Sequence, residues 1–164
     1  MTDTLLVEPS SGRAISFLGI KTIIKIRGQQ TSGAFVVVEN SLPPRGFVPP
    51  HRHEHVDEVA YVLEGELGAL VGENRYRASA GSFVARPRGI VHALWNSGDM
   101  PVRFFEIIAP AGHETFFEAL AQLFASSVPP VPAQLAEVAG RYDVTFLPEL
   151  APSLAKEYNL HMPG

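Results

Sequence analysis

The chain has 164 residues, 46% of them hydrophobic and 18% charged, and this balance predicts one globular domain and excludes a disordered chain. The net charge of -4, without a cluster of lysines and arginines, argues against a nucleic-acid-binding surface. The sequence contains no cysteine, which excludes disulfides, thiolate metal ligands and cysteine nucleophiles.

Short strand-like segments fill the chain as far as residue 110. Residues 1–13 include Pro9 and Gly12 and are predicted to form an irregular lead-in. The segments that follow are rich in β-branched and aromatic residues, with glycine and proline between them. They are Ala14–Leu18, Ile20–Arg27, Ala34–Glu39, Val59–Leu63, Glu66–Val71, Arg75–Arg77, Ser82–Ala85, Val91–Trp95 and Val102–Ile108. Short strands at this spacing predict an all-β sandwich or small barrel.

A helical tail is predicted after Pro110. Its first helix is amphipathic, because apolar residues recur at helical spacing. These residues are Phe116, Phe117, Leu120, Leu123 and Phe124. Pro132 suits the first turn of a second helix that ends at Gly140. Residues 142–147 are predicted to be extended, and the chain is predicted to be helical again from Pro148.

Residues 1–110 are therefore expected to form the barrel, and residues 111–164 a helical extension packed on it within the same domain. The extension is either a fixed cap over one barrel end or a lid that moves during function. Its histidines, His113 and His161, are predicted to lie on the surface. The N-terminus lacks the basic and apolar regions of a signal peptide, and no apolar run reaches the roughly 18 residues of a membrane helix. These features predict a cytoplasmic protein without membrane partners.

Three histidines and a carboxylate lie close together in the segment from His51 to Glu58. The two prolines before His51 hold the chain extended, so alternate side chains share one face. Either His51 and His53 or His53 and His55 can therefore present two imidazoles to one point. Glu58 either joins them from the next strand or lies solvated at a strand start. Imidazole and carboxylate together predict a site for a divalent metal ion.

Two spaced motifs extend this cluster. Residues 51–65 read H-x-H-x4-E-x6-G, and residues 81–96 read G-x5-P-x-G-x2-H-x3-N, in which the histidine is His92. In this order, 15 residues apart, they resemble the two motifs of the cupin superfamily. One glycine departs from the pattern, since four residues separate Gly46 from His51 where the family has five.

The resemblance implies a cupin-type small β-barrel (a double-stranded β-helix or jelly roll) with a C-terminal helical tail. It implies that His51, His53, Glu58 and His92 bind one divalent transition metal ion per chain: Fe, Ni, Mn, Co, Cu or Zn. It places His55 outside this ligand set. Some cupins keep the fold and lose the metal, but here all four ligand types are present. The resemblance also implies a homodimer.

Part of the first motif, Pro-Pro-His-x-His followed by Glu-x-x-Tyr-Val-Leu-Glu-Gly-Glu, is similar to single-domain cupins of the quercetin 2,3-dioxygenase type. This similarity implies a metal-dependent dioxygenase that acts on a flavonol-like or other enolisable or phenolic small molecule. Glu58 is then the catalytic base that takes the substrate's hydroxyl proton. Two alternatives stay open: a metal-dependent isomerase, cyclase or lyase that needs no O2, and a cupin that binds a small molecule without catalysis.

The phase of the strands predicts an apolar pocket around the metal. Residues that share a face with a predicted ligand, or lie on neighbouring strands, are expected to form its wall. They are Phe35, Val37, Ala60, Val62, Phe83 and Leu94. On the last strand, Phe104 and Glu106 face inward in one register, and Phe105 and Ile107 in the other. Glu106 is therefore either a second carboxylate near the metal or an exposed one.

Overall fold

A computed structural model describes residues 6–126 and 128–162, so the first five residues of the predicted lead-in and the last two of the predicted tail lie outside it. The strands are β1 (Arg13–Phe17), β2 (Ile20–Ile26), β3 (Val36–Leu42), β4 (Phe47–His53), β5 (Asp57–Glu64), β6 (Glu66–Val71), β7 (Asn74–Ser79), β8 (Phe83–Arg86), β9 (His92–Trp95), β10 (Val102–Ala109) and β11 (Val144–Phe146). The helices are α1 (Glu114–Leu123), α2 (Pro132–Gly140) and α3 (Ala151–Tyr158), and short 3₁₀ turns span Gly28–Thr31 and Pro148–Leu150.

Two antiparallel sheets form the barrel. The strand order is β1-β2-β3-β10-β5-β8 in the first sheet and β11-β4-β9-β6-β7 in the second. Their inward faces enclose a hydrophobic core that includes Leu42, Val62, Leu67 and Phe104. The predicted all-β barrel with a C-terminal helical tail is confirmed.

The position of β10 between β3 and β5 settles which of its residues face inward. Phe104, Glu106 and Ile108 are buried, whereas Ile107 on the opposite face is 39% exposed. A shift of one residue would exchange the two faces, so the pairing on both sides selects one register. Glu106 is therefore directed into the barrel.

β4 is a strand despite its two prolines. The pairing of β4 with β9 shifts between Val48 and His51, at the position of these prolines, because proline has no N–H to donate to the ladder. Beyond this irregularity His51 lies opposite His92. On its other side β4 pairs with β11, which places Phe146 opposite His51. The segment predicted to be extended at residues 142–147 thus adds an edge strand to the sheet.

The tail helices pack on the barrel through aromatic side chains. Phe117 of α1 stacks on Phe17 of β1 with 5.4 Å between ring centroids, and Tyr158 of α3 stacks on Trp95 of β9 at 4.5 Å. Glu114, at the start of α1, accepts a hydrogen bond of 3.0 Å from a backbone N–H beside β2. In residues 6–126 and 128–162, no helix has the length and apolar character needed to cross a bilayer.

Candidate metal centre

The two sheets together supply the four predicted ligands. His51 and His53 alternate along β4, and His92 begins the neighbouring strand β9. Glu58 lies near the start of β5 in the opposite sheet. Each of these side chains is at most 7% exposed. The cluster therefore lies between the sheets, shielded from solvent.

The four side chains converge on one point. One ligand atom from each of them can be chosen so that all lie within 4.8 Å of one another. Glu58 Oε1 is 3.5 Å from His53 Nε2, and Glu58 Oε2 is 3.2 Å from His92 Nε2. The ring centroids of His51 and His92 are 4.4 Å apart. Such spacing suits a single ion, because ligand atoms at about 2.0–2.2 Å from a metal lie roughly 3–4 Å from each other.

His55 does not take part in this cluster. Its side chain is 73% exposed, and its Nε2 lies 3.7 Å from a carboxylate oxygen of Asp143. The extended chain of β4 ends at His53, so the phase that holds His51 and His53 on one face is lost before His55. Of the two histidine pairs that the spacing allows, the structure directs His51 and His53 inward.

Backbone carbonyls orient two of the imidazoles. His51 Nδ1 is 2.8 Å from the carbonyl oxygen of Pro49, and His92 Nδ1 is 3.0 Å from that of Ile90. An Nδ1–H that donates to these oxygens leaves the Nε2 lone pair free for a metal. Neither ring nitrogen of His53, nor Nε2 of His92, has a hydrogen-bond partner among the described residues. Buried polar atoms without a partner cost about 1–3 kcal/mol each, and a bound cation would remove that cost.

The charge states of the cluster also suit a cation. Burial lowers the pKa of His51 well below its ordinary value, and His92 and His53 lower it further. Burial lowers the pKa of His53 to about 4, against an opposing effect of Glu58. Imidazoles bind metals in the neutral form, so these two are ready to bind at neutral pH.

Arg86, which the sequence analysis did not assign to the site, connects two carboxylates. Its Nη1 is 3.1 Å from Glu58 Oε2, and its Nη2 donates to Glu106. Asn40 Nδ2 donates to the other oxygen of Glu106 at 2.7 Å, and Thr22 Oγ1 donates to Asn40 Oδ1 at 2.7 Å. All five side chains are buried. A continuous polar chain thus runs from the metal cluster across the first sheet.

The two carboxylates beside Arg86 differ in pKa. Burial opposes ionisation of both. At Glu58, Arg86 and the neighbouring histidines His53 and His92 outweigh burial and hold the pKa well below its usual range. At Glu106, burial outweighs Arg86, and repulsion from Glu58 adds to it, so the pKa is raised. Carboxylates whose pKa values are moved apart in this way are suited to different tasks.

His113 also lies against the cluster, so its predicted surface position is wrong. It is 5% exposed at the start of α1, and its ring centroid is 4.5 Å from that of His53 in an edge-to-face contact. Burial lowers its pKa to about 3, and His53 contributes in the same direction. Its Nε2 has no hydrogen-bond partner in the described part of the chain. The packing of α1 back onto the barrel buries it, whereas His161 is exposed.

A cavity of about 50 Å³ adjoins the cluster. Of the predicted wall residues, Leu94, Phe104 and Glu106 line it. The other lining residues outside the ligand set are Phe17, Leu18, Ile20, Asn40, Val48, Arg86, Phe116, Phe117, Leu120 and Phe146. Since about 10–15 Å³ of such volume holds one water, this space admits an ion with a few water molecules.

Three predicted wall residues do not line the cavity. Phe83 is 68% exposed and Phe35 is 36% exposed, while Val37 lies half-buried on the outer face of β3. Their neighbours Val36 and Val84 face inward instead. Strand residues alternate between the two faces, so an error of one position reverses every assignment on that strand. The same error on β8 is the reason why Arg86 was not predicted to belong to the site, since Arg86 and Val84 lie on the same inward face of that strand.

Ala60 and Val62 face inward from β5, as their phase with Glu58 requires, but they do not line the cavity. Both have no exposed surface and belong to the hydrophobic core with Leu94 and Phe104. The side chain at position 60 therefore contributes to core packing and not to the wall of the cavity.

Comparison with known proteins agrees with the architecture. Residues 38–108 match the family model of the cupin domain. The barrel has the cupin fold. The sequence is similar to germin-like protein 1-1 of Oryza sativa subsp. japonica, with 33% identity over 106 residues that cover 62% of this chain and 48% of that protein. The chain spans about half the length, or less, of the curated relatives that it matches first.

Solved structures show the same fold at low sequence identity. KdgF from a Halomonas species aligns with a TM-score of 0.60 and 16% identity, over 67% of this chain and 96% of that one. The polyketide cyclase RemF from Streptomyces resistomycificus aligns with a TM-score of 0.56 and 24% identity, over 65% of this chain and 79% of that one. At these identities the similarity establishes the fold of the cupin domain.

The donor set of this barrel fits a first-row transition metal ion. Three imidazoles and one carboxylate supply nitrogen and oxygen ligands, and the cysteine-free sequence offers no thiolate for copper(I) or an iron–sulfur cluster. Unpartnered ring nitrogens and a carboxylate of low pKa surround the point of convergence. His51, His53, Glu58 and His92 can therefore hold one such ion.

Proposed function

We propose that this cupin domain is a metal-dependent enzyme, a dioxygenase that acts on an enolisable or phenolic small molecule. The observation that carries the proposal is a buried cluster of three histidines and one carboxylate that opens on a cavity with a mainly apolar wall. The similarity of the first motif to quercetin 2,3-dioxygenase-like cupins supports the reaction type.

His51, His53, Glu58 and His92 would hold one divalent metal ion and would leave part of it open to an oxygen atom of the substrate. A divalent metal bound there supplies Lewis acidity, which stabilises the oxyanion of a deprotonated substrate. Leu94, Phe104 and Phe116 line the cavity beside the ligands and give it apolar surroundings. Apolar surroundings strengthen the electrostatic interactions on which such stabilisation depends.

Glu106 is the carboxylate that we expect to accept the substrate's proton. It lines the cavity, and burial raises its pKa above the ordinary value, whereas the pKa of Glu58 is lowered, so Glu106 is the stronger base of the two. Glu58 is held ionised by Arg86 and suits the role of a metal ligand better than that of a base. This assignment replaces the expectation that Glu58 is the base.

The raised pKa of Glu106 also favours a second candidate, a metal-dependent isomerase, cyclase or lyase. In such a reaction Glu106 removes a proton from the substrate and returns it at another atom, with no need for O2. The same ligands and the same apolar wall serve both reactions. Dependence on O2 distinguishes them.

The test begins with elemental analysis of the purified protein and of protein reloaded with Fe, Ni, Mn, Co, Cu or Zn. Metal-loaded protein is titrated with flavonols and simpler phenols under anoxia, and O2 is then admitted. We expect the absorption spectrum to change on titration and O2 to be consumed in proportion to substrate, with both oxygen atoms entering the product.

Two variants serve as a matched pair in this test. His51→Ala removes a predicted ligand, and His55→Ala removes an exposed histidine four positions along the chain. We expect His51→Ala to abolish O2 consumption and His55→Ala to keep it. No spectral change and no O2 uptake with any metal contradict the proposal, whereas substrate loss under strict anoxia favours the isomerase, cyclase or lyase.

A further inference from the structure

A second, larger cavity lies beside the metal cavity, between the barrel and the tail. It encloses about 870 Å³. Its wall combines Leu18 and Pro49 of the barrel with residues from α2 and β11. Among its described lining residues, Thr145 alone has a polar side chain and none is charged. Sites for small organic ligands have this kind of lining and volumes of about 300–1,000 Å³.

Leu18 and Phe146 separate the two cavities, since both side chains line each of them. Phe146 ends β11, and its ring centroid is 5.6 Å from that of His51. Leu18 stands at the turn between β1 and β2 with a φ of 49°, a conformation rare for residues with a side chain. The outer cavity thus reaches to within one aromatic ring of the metal centre.

The sizes of the two cavities assign different parts of a substrate to each. An apolar cavity of about 150 Å³ holds benzene, and the inner cavity, at about 50 Å³, has only about a third of that volume, so the body of a ring-containing substrate fits the outer cavity better. The outer cavity has room for two or three fused rings. The uncharged lining also disfavours ligands that carry a phosphate or carboxylate, because their desolvation would have no compensating partner.

We propose that the outer cavity binds the body of an apolar, ring-containing small molecule without charged substituents, and that Phe146 and Leu18 control the passage of its oxygen-bearing edge to the metal centre. The inference rests on the proposed function for the reacting oxygen, and it adds the class of substrate and the place where its body lies. Binding of the body depends on the apolar wall and does not require the metal.

The experiment uses 2-naphthol, a neutral aromatic alcohol, as the probe. Its dissociation constant is measured by titration calorimetry on the full chain, both metal-free and loaded with Co²⁺. Ala136→Trp places an indole in the cavity from an exposed position on α2, and Glu137→Trp places the same indole on the neighbouring exposed position outside the lining. Ala133→Trp repeats the test from a second lining position.

We expect Ala136→Trp and Ala133→Trp to weaken binding of 2-naphthol about tenfold or more, which corresponds to about 1.4 kcal/mol, and Glu137→Trp to leave it within about twofold. We expect 6-hydroxy-2-naphthoate, the analogue with a carboxylate, to bind at least about tenfold more weakly than 2-naphthol. The proposal is overturned if Ala136→Trp and Ala133→Trp both bind 2-naphthol with the affinity of the parent chain, or if the parent chain binds the two probes with equal affinity.

Phe146→Ala tests the separation of the cavities. With the ring removed, 2-naphthol should perturb the visible absorption of the Co²⁺-loaded protein at lower concentration than in the parent chain. An unchanged concentration dependence contradicts the role of Phe146. If Ala136→Trp and Ala133→Trp weaken binding of 2-naphthol but the protein turns over no substrate, only the proposed function is contradicted. If the protein turns over substrate and Ala136→Trp binds 2-naphthol like the parent chain, only the role of the outer cavity is contradicted.

Discussion

The two cavities of this barrel are built in contrasting ways. The inner one has a mainly apolar wall, but it adjoins a cluster of charged and metal-ligating side chains on paired strands that contact one another at fixed distances. The outer one is enclosed by apolar side chains, many of them from α2 and β11 of the tail. Charge pairs depend steeply on geometry, whereas apolar contact depends on area. Single changes should therefore have abrupt effects at the inner cavity and graded effects at the outer one.

Removal of Arg86 should have the largest effect. Arg86→Met leaves Glu58 and Glu106 buried without their shared cation, which we expect to lower the free energy of unfolding by about 3–5 kcal/mol. Urea denaturation of the metal-free protein measures the change. Arg88→Met is the matched control, because Arg88 is exposed and pairs with Asp57 at the surface. Equal losses of stability in the two variants would show that the buried contacts of Arg86 with Glu58 and Glu106 stabilise the fold no more than the exposed pair of Arg88 and Asp57.

Loss of a ligand should come next. We expect His51→Ala to weaken metal binding by at least about 100-fold, since even partners of metal ligands contribute about 10–100-fold. Competition with a fluorescent chelator measures the affinity for Zn²⁺ or Co²⁺. His55→Ala should bind like the parent, because His55 is exposed and outside the cluster. Equal losses in both variants would contradict the ligand set.

Acidification should gradually lower the free energy of unfolding, because buried histidines around the inner cavity resist protonation. Burial places the pKa of His53 at about 4 and that of His113 at about 3 in the folded chain, below the ordinary value of 6.5. The unfolded chain therefore binds more protons below pH 6.5. Stability is complete above that pH and falls as the pH is lowered towards 4, by at most about 1.4 kcal/mol per pH unit for each histidine.

Urea denaturation of the metal-free protein from pH 7.5 to pH 4.5 checks this expectation. The decline between pH 6.5 and 4.5 should be shallower in His113→Phe, because one of the buried histidines with a lowered pKa, which also include His51 and His53, is absent. Identical slopes in the parent and this variant would indicate that His113 does not contribute to the acid sensitivity.

The smallest effect is expected for His113→Phe at neutral pH. Phenylalanine fills a similar volume among Phe116 and Phe117 and removes a buried nitrogen that has no partner in the described part of the chain. We expect the free energy of unfolding to rise by about 1 kcal/mol. His161→Phe, at an exposed position, should not change it. A loss of stability or of bound metal in His113→Phe would instead give His113 a polar role at the site.

The ligand cluster was within reach of sequence reasoning because the two spaced motifs contain all four ligand residues. His51 and His53 alternate on one strand, and the two motifs place Glu58 and His92 at the starts of two others. Arg86 was missed because the predicted phase of β8 was wrong by one residue. The sequence contained a signal for the correct phase, because Val84 is apolar and lies on the same face of β8 as Arg86.

The sequence by itself determined the strand periodicity, the extended segment before His51 and the spacing of the four ligand residues, because these depend on neighbours along the chain. Tertiary structure decided what depends on distant partners. Pairing of β10 with β3 and β5 turned Glu106 inward, and packing of α1 on the barrel buried His113. The addition of β11 to β4 set Phe146 beside His51 and so divided the space into two cavities. Alternation allows either face of a strand to point inward, and only contacts between distant segments choose between them.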